Sequence, residues 1–246
     1  MTLAASAARV GLFVPCLASA FDVRATECAA RLLEAVGAAP LVVPAAQTCC
    51  GQALHNAGLV DDARRLATRM ARVFADVDVV VTTSASCAAH VLHHGAPELA
   101  PRVVELASFL VARGFDASAC AWRGRVAYHP SCHARGLPRD DVAALLARVQ
   151  DLELVPLPRA SQCCGFGGAF ATHFPTVSVA LGEDKLQAAS EAGVTTLVAN
   201  DAGCRLHLMG LHRAAVEVKH LSEILAEGLH LVPRPPRPLA RSGPHA

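Results

Sequence analysis

Short valine-rich segments alternate along the chain with longer segments whose apolar residues recur at helical spacing. In the first half, four short segments have the apolar, β-branched character of buried strands: residues 10–14, 41–43, 77–83 and 103–105. The longer segments predict helices over five ranges: residues 22–36, 61–77, 138–149, 176–192 and 221–229. Parallel neighbouring strands need a crossover connection, which these helices supply. The pattern therefore predicts an α/β fold in which parallel sheets are flanked by helices.

The second half of the chain repeats the pattern of the first half. The matching segments are residues 9–10 and 125–126, 41–44 and 154–156, 78–82 and 195–199, and 107–114 and 221–228. The last two segments are offset by 114 residues, which is far longer than a solenoid repeat and indicates a duplicated domain. We therefore expect two tandem homologous Rossmann-like halves, with a first domain over residues 1–118 and a second over residues 119–230. Residues 231–246 are rich in proline and are expected to form a disordered tail.

Eight of the ten cysteines form two copies of one pattern, in which a single cysteine precedes a vicinal pair with a following glycine and a last cysteine. The residues are Cys16, Cys49, Cys50, Gly51 and Cys87 in the first copy, and Cys132, Cys163, Cys164, Gly165 and Cys204 in the second. The cysteines follow predicted strands, and open parallel sheets place their ligand sites outside the carboxyl ends of strands. Four thiolates gathered there are the ligands that an iron–sulfur cluster requires. The two glycines lack Cβ, so we expect them to let the backbone approach each cluster closely.

Several histidines near these cysteines have two interpretations each. His90 and His207 stand three residues after the last cysteine of their copies, where they either add a ligand or are coincidental. His129 and His133 flank Cys132, where they either donate hydrogen bonds to cluster sulfur or cap the next helix.

Three residues outside the repeated pattern receive weaker interpretations. Cys28 lies on the apolar face of a predicted helix and is expected to be a small buried hydrophobic residue. Cys120 lies in a polar connection between the halves and is expected to be incidental. His55 follows the first vicinal pair and could line a pocket.

Composition and charge exclude several classes of protein. With 246 residues, 53% apolar and 17% charged, each half can bury a core. A net charge of +1 and 4% aromatic residues do not fit a nucleic-acid-binding surface. No apolar run approaches the ~18–20 residues of a membrane span, and no glycine-rich nucleotide motif follows a strand.

The start of the chain has features of a secretory signal over residues 9–20. Cleavage there would remove Cys16 and one strand of the repeat, so we expect a cytoplasmic protein. In that reducing compartment, cysteines bind metal more often than they form disulfides.

The segments around both vicinal pairs resemble the paired signatures of the cysteine-rich CCG family, and especially its lactate-utilisation members. The segments that carry the resemblance are residues 47–52 and 163–168, together with residues 14–16, 56–58, 84–87 and 129–133. The likeness extends to about residue 230. The resemblance implies an iron–sulfur electron-transfer component that oxidises L-lactate to pyruvate together with two partners. These partners are proteins B and C of the lactate-utilisation system. Related family members include a component of heterodisulfide reductase and the iron–sulfur component of glycolate oxidase.

The chain departs from the full family signature at the last motif of each half. That signature ends in Cys-x-x-Cys and gives five thiols, whereas His90 and His207 replace the fifth thiol here. Four thiolates suffice for a 4Fe–4S cube, so we expect two such clusters.

Three functions are compatible with these residues. The first is an iron–sulfur electron carrier in a lactate-oxidising complex, inactive without its partners. The second is a redox catalyst at an opened cluster, as in heterodisulfide reductase or on another substrate, which the missing fifth cysteine disfavours. The third is a structural protein with two four-cysteine zinc sites, which the vicinal pairs disfavour, because adjacent cysteines reach one tetrahedral ion awkwardly.

Overall fold

The computed structural model describes residues 8–211 and 216–235 as an α/β protein with two parallel sheets. The strands are β1 (Val10–Phe13), β2 (Val79–Thr82), β3 (Val103–Glu105), β4 (Ala121–His129), β5 (Gln150–Val155), β6 (Thr196–Ala199) and β7 (Glu217–Lys219). The helices of the first half are α1 (Cys16–Phe21), α2 (Val23–Ala35), α3 (Gln52–Asn56), α4 (Val60–Val73), α5 (Ala85–His94) and α6 (Leu106–Ala112). Those of the second half are α7 (Val142–Leu146), α8 (Ala169–His173), α9 (Pro175–Glu191), α10 (Ala202–Gly210) and α11 (Leu221–Gly228). The predicted fold class is confirmed.

The two sheets have corresponding strand orders, as expected for a duplicated unit. The first sheet has the order β1-β2-β3 and the second has the order β5-β4-β6-β7, with every pair parallel. The segment that corresponds to β5 in the first half forms only an isolated bridge through Val42. The prediction of a strand over residues 41–43 was wrong, because Pro40 and Pro44 on either side of this bridge have no N–H to extend a ladder.

The two halves share one hydrophobic core, because the last helix of each half packs against a helix of the other half. Helix α11 lies on α2, and α6 lies on α7. Ser222 Oγ on α11 also donates a hydrogen bond to the Ala25 carbonyl oxygen on α2, at 2.7 Å. The shared core contains buried side chains from all four helices, among them Leu33, Leu110 and Leu145. The domain bounds of residues 1–118 and 119–230 stay a prediction.

Both cysteines outside the repeated pattern lie in this core. Cys28 on α2 is buried as predicted, and burial raises the pKa of its thiol to about 12. Cys120 is also fully buried, so its placement in a polar connection was wrong. Cys120 immediately precedes β4, and its side chain packs against Gly228 of α11, away from solvent. Burial raises the pKa of the Cys120 thiol to about 11.

The predicted tail begins beside the core. Within residues 231–235, the Pro233 carbonyl oxygen accepts a hydrogen bond from Arg24 at 2.7 Å, and the Arg234 guanidinium lies 4.0 Å from the Trp122 ring centre. Residues 236–246 lie outside the described residues.

A buried histidine, His220, connects the two halves through its ring nitrogens. The His220 Nδ1 accepts a hydrogen bond from the Ser222 N–H at 3.0 Å, so Nε2 carries the proton and donates to the Thr83 carbonyl oxygen at 2.8 Å. The neutral ring therefore satisfies both partners. Burial and the positive charge of Arg205 lower the pKa of His220 from 6.5 to about 3.

We expect the free energy of unfolding to fall as the pH drops below 6.5, because His220 must then be held neutral in the fold while it is protonated in the unfolded chain. Between pH 7 and pH 5 this group alone contributes a loss of about 2 kcal/mol. Urea unfolding of the wild-type chain and His220→Gln at both pH values measures the difference. The substitution of the exposed His173 by glutamine should leave the pH dependence unchanged. An equal pH dependence in wild type and His220→Gln would contradict this assignment.

Candidate metal centres

The structure brings the four predicted thiols of the first half together. Cys16 begins α1 just after β1, Cys87 lies in the first turn of α5 after β2, and the vicinal pair precedes α3. Cys50 Sγ lies 3.6 Å from Cys87 Sγ. The Cys16 thiol hydrogen-bonds to Cys49, which also accepts the Gly51 N–H at 3.4 Å. These four cysteines, called the first thiol set below, form one continuous group of sulfur atoms.

The second half repeats this arrangement at the carboxyl ends of β4 and β6. Cys164 Sγ lies 3.1 Å from Cys204 Sγ in the first turn of α10. The Cys132 thiol hydrogen-bonds to Cys163, and the Gly165 N–H donates to Cys163 Sγ at 3.3 Å. Cys132, Cys163, Cys164 and Cys204 are called the second thiol set below.

Each set is arranged to stabilise one thiolate before any metal binds. The hydrogen bond from Cys16 and the second from Cys50 hold the pKa of Cys49 well below its ordinary value. Hydrogen bonds from Cys132 and Cys164 do the same for the pKa of Cys163. Metal binding must remove the protons of the remaining thiols, so affinity for metal is expected to rise with pH.

The two glycines also have a role in helix packing, in addition to the predicted contact with a cluster. Gly51 has φ +97° and Gly165 has φ +93°, in the left-handed region that favours glycine. A Cβ on Gly165 would lie 2.3 Å from the Ser178 carbonyl oxygen of α9, and one on Gly51 would lie 3.2 Å from the Ala63 carbonyl oxygen of α4. The glycines therefore let each Cys-Cys turn lie against a neighbouring helix, with the glycine amide directed at sulfur. Their contact with a cofactor stays a prediction.

A single buried carboxylate connects the two thiol sets. Asp201 Oδ1 accepts the N–H groups of Gly203 and Cys204 at 3.0 and 3.3 Å, and so caps α10. Its Oδ2 accepts the Ser84 hydroxyl and the Ser86 N–H, both at 3.0 Å, at the start of α5. One anion therefore satisfies the amino-terminal ends of the two helices that carry Cys87 and Cys204.

His129 provides a test of whether the second set fits a metal group. The side chain is only 1% exposed, and neither ring nitrogen has a hydrogen-bond partner among the described residues. A ring nitrogen lies within 4.8 Å of the sulfur atoms of Cys164 and Cys204. Burial lowers the pKa of His129 to about 4, so the ring is neutral at pH 7. An unpartnered neutral imidazole beside buried thiols fits a bound metal or cluster, which would satisfy it.

The two histidines in the Cys-x-x-His motifs have different surroundings. The His207 Nε2 donates a hydrogen bond to the Ser178 carbonyl oxygen at 3.1 Å. The His90 ring is tilted against those of His55 and His94, with ring centres 5.4 and 5.2 Å away. Their role as ligands stays a prediction. The His133 backbone N–H donates a hydrogen bond to the Ser131 hydroxyl oxygen, and the His133 Nδ1 lies 3.5 Å from Cys132 Sγ.

A pocket of about 380 Å³ opens beside the second thiol set. Its wall includes Phe166, which follows the vicinal pair, together with His207 and Leu211. Two neighbouring apolar side chains, Phe174 and Val177, are more than half exposed. No helix among residues 8–211 and 216–235 has the length and apolar character needed to cross a membrane.

The family model for the cysteine-rich domain, CCG, matches the chain twice, over residues 10–91 and 126–209. The chain belongs to the cysteine-rich CCG family. Each match contains one complete thiol set, so the duplicated unit seen in the structure is the unit that defines the family. The family membership expected from the sequence is confirmed.

Relatives of the chain within this family carry the name lactate utilization protein A. The protein from Geobacillus kaustophilus (strain HTA426) is 39% identical over 235 residues, which cover 88% of this chain and 98% of that protein. The protein from Geobacillus thermodenitrificans (strain NG80-2) is 38% identical over 236 residues with the same coverage. The protein from Shouchella clausii (strain KSM-K16) is 35% identical over 235 residues, again with the same coverage.

Solved structures resemble the chain only distantly. An aspartate racemase homologue from Pyrococcus horikoshii OT3 has 11% identity and a TM-score of 0.35, over 92% of this chain and 99% of that one. A TM-score of this size does not establish a common fold.

Proposed function

We propose that the chain is the iron–sulfur electron-transfer component of an L-lactate-oxidising system, and that it works in the cytoplasm with proteins B and C of that system. The observation that carries the proposal is the presence of two equivalent four-thiol sets, one at the carboxyl ends of each parallel sheet. The names of relatives that align over 88% of the chain support lactate utilisation.

The side chains of each set would hold one cluster. Cys16, Cys49, Cys50 and Cys87 are the proposed ligands of the first cluster, and Cys132, Cys163, Cys164 and Cys204 are those of the second. When bound, the two clusters would each accept and pass on one electron, which matches the two electrons that leave L-lactate with two protons as pyruvate forms. The Gly51 and Gly165 amides, which already donate to sulfur, would stabilise the negative charge of the bound cysteines.

The need for partner proteins is inferred because the described residues include no group that could accept a hydride. The two thiol sets are the only groups among them that suit electron transfer, and the chain has no glycine-rich nucleotide motif. A hydride acceptor for a 2-hydroxy acid would therefore belong to a partner. The exposed apolar side chains beside the second thiol set offer a contact surface for such a protein.

The decisive experiment is the analysis of iron, zinc and acid-labile sulfide in protein purified without oxygen, together with electron paramagnetic resonance. We expect about eight irons and eight sulfides per chain. Zinc without sulfide would overturn the proposal and leave a structural metal protein.

Substrate assignment needs a separate assay with proteins B and C present. We expect L-lactate to reduce the cluster signals only in the three-protein mixture, with glycolate and D-lactate as controls. Equal reduction by glycolate would redirect the substrate assignment and leave the electron-transfer role standing.

A second candidate is a mononuclear zinc site in the second half. The close approach of His129 to Cys164 and Cys204 favours it, since these three groups could hold a small ion. One zinc per chain that is lost in His129→Ala would support this alternative.

A further inference from the structure

We propose that His55, His90 and His94 form a mononuclear binding site for a divalent transition-metal ion, such as zinc, separate from the thiol sets. One nitrogen from each ring lies within 4.8 Å of the nitrogens of the other two. The three groups therefore need only small movements to reach one ion at about 2.0–2.1 Å.

The site is built by two helices that the fold holds together. His90 and His94 are one turn apart on α5, so both project from the same face of that helix. His55 comes from the last turn of α3 and lies against them. Its ring centre is 4.1 Å from that of His94 and 5.4 Å from that of His90, and the His90 and His94 ring centres are 5.2 Å apart.

The three rings take no part in the hydrogen bonds between described residues. None of them forms a hydrogen bond with another described residue, although His90 is only 6% exposed. Their neighbour His93 differs, because its Nε2 lies 2.8 Å from the Gly136 carbonyl oxygen and binds it. The ring nitrogens of all three side chains are therefore available to bind a ligand.

Electrostatics keeps the rings in the form that binds metal. Burial, followed by the charges of His94 and His55, lowers the pKa of His90 to about 4. Burial and the charge of His55 also lower the pKa of His94. Neutral imidazole is the form that coordinates metal, and it suits zinc, copper, iron and nickel.

Three ligands leave one coordination position open on a tetrahedral ion. His94 is exposed, so that position would be open to water or to an oxygen ligand from solution. The site lies next to the first thiol set, because α3 follows Cys49-Cys50-Gly51 directly and α5 carries Cys87.

The test is a zinc titration of the full chain with its native metal content, at controlled free zinc concentrations. Bound zinc and iron are then measured after dialysis. We expect one zinc per chain to be taken up without loss of iron. His55→Gln and His94→Gln should each weaken this binding at least tenfold, whereas His93→Gln should leave it unchanged.

Two results would overturn the proposal. One is equal zinc affinity in all four proteins, and the other is zinc uptake that displaces iron, which would place zinc on the thiols. His94→Cys, which restores a ligand, should recover binding, and this separates loss of a ligand from loss of structure. Zinc held by cysteine alone would not respond to the histidine substitutions. The titration therefore tests the histidine site independently of the thiol sets.

Discussion

Replacing Cys49 or Cys164 with serine is expected to remove about one cluster per chain, which is about four irons and four sulfides. Cys49 is the thiolate that accepts hydrogen bonds from Cys16, Cys50 and Gly51, so its loss removes the centre of the first thiol set. Cys164 is 2% exposed and contacts Cys204 directly, so its loss breaks the second set. Metal and sulfide analysis after purification without oxygen measures both effects.

The matched control is Cys28→Ala. Cys28 is as buried as Cys164, but it lies in the core where α2 packs against α11, the last helix of the other half. Alanine avoids placing an unpaired hydroxyl there. Iron and sulfide should stay at the wild-type level. An equal loss of iron in all three variants would contradict the assignment of ligands and indicate a general loss of folding.

Replacing Arg205 with alanine should lower the free energy of unfolding by about 3–5 kcal/mol. The Arg205 side chain is 2% exposed and forms ion pairs with Asp22 at 2.6 Å and with Glu223 at 2.6 Å. These pairs join α10, the start of α2 and α11, so they link the two halves. Removing the guanidinium leaves two largely buried carboxylates without this partner, and that desolvated charge is the source of the large effect.

Arg64→Ala is the control for this substitution. Arg64 also lies in a helix and forms an ion pair with Asp61 at 2.9 Å, but its side chain is 74% exposed. Solvent screens such pairs, so the expected change is below about 1 kcal/mol. Urea unfolding of both variants, with iron content measured in parallel, makes the comparison. Similar effects in the two would show that burial does not set the strength of the Arg205 pairs.

Local patterns predicted most of the fold because strands and helices depend on neighbouring residues. The periodic segments over residues 176–192 and 221–229 correspond closely to α9 and α11. The helix predicted over residues 138–149 is shorter, since α7 covers only Val142–Leu146 after Pro138 and the Arg139–Asp141 ion pair. The packing of α6 and α11 on the opposite halves was not predicted, because periodicity defines an apolar helix face but not the partner that covers it.

The repeated spacing also predicted which thiols meet, because a repeat constrains positions that are far apart in the chain. Asp201 was not identified by this route. Its partners Ser84 and Ser86 are 117 and 115 residues away, and nothing local indicates the contact. The histidine site had a visible signal in the i, i+4 spacing of His90 and His94, but its third member, His55, is brought there only by the packing of α3 against α5.

The last helix of each half, α6 or α11, packs on the other half, and this arrangement indicates how the protein arose. A single half on its own would leave an apolar helix face uncovered. Two identical halves would cover both faces by swapping that helix about a two-fold axis, so the ancestor is inferred to have been an obligate homodimer. Fusion of two such halves into one chain would release the two thiol sets from symmetry. Asp201 and His129 record that divergence, because the equivalent positions in the first half are Ser84 and Phe13.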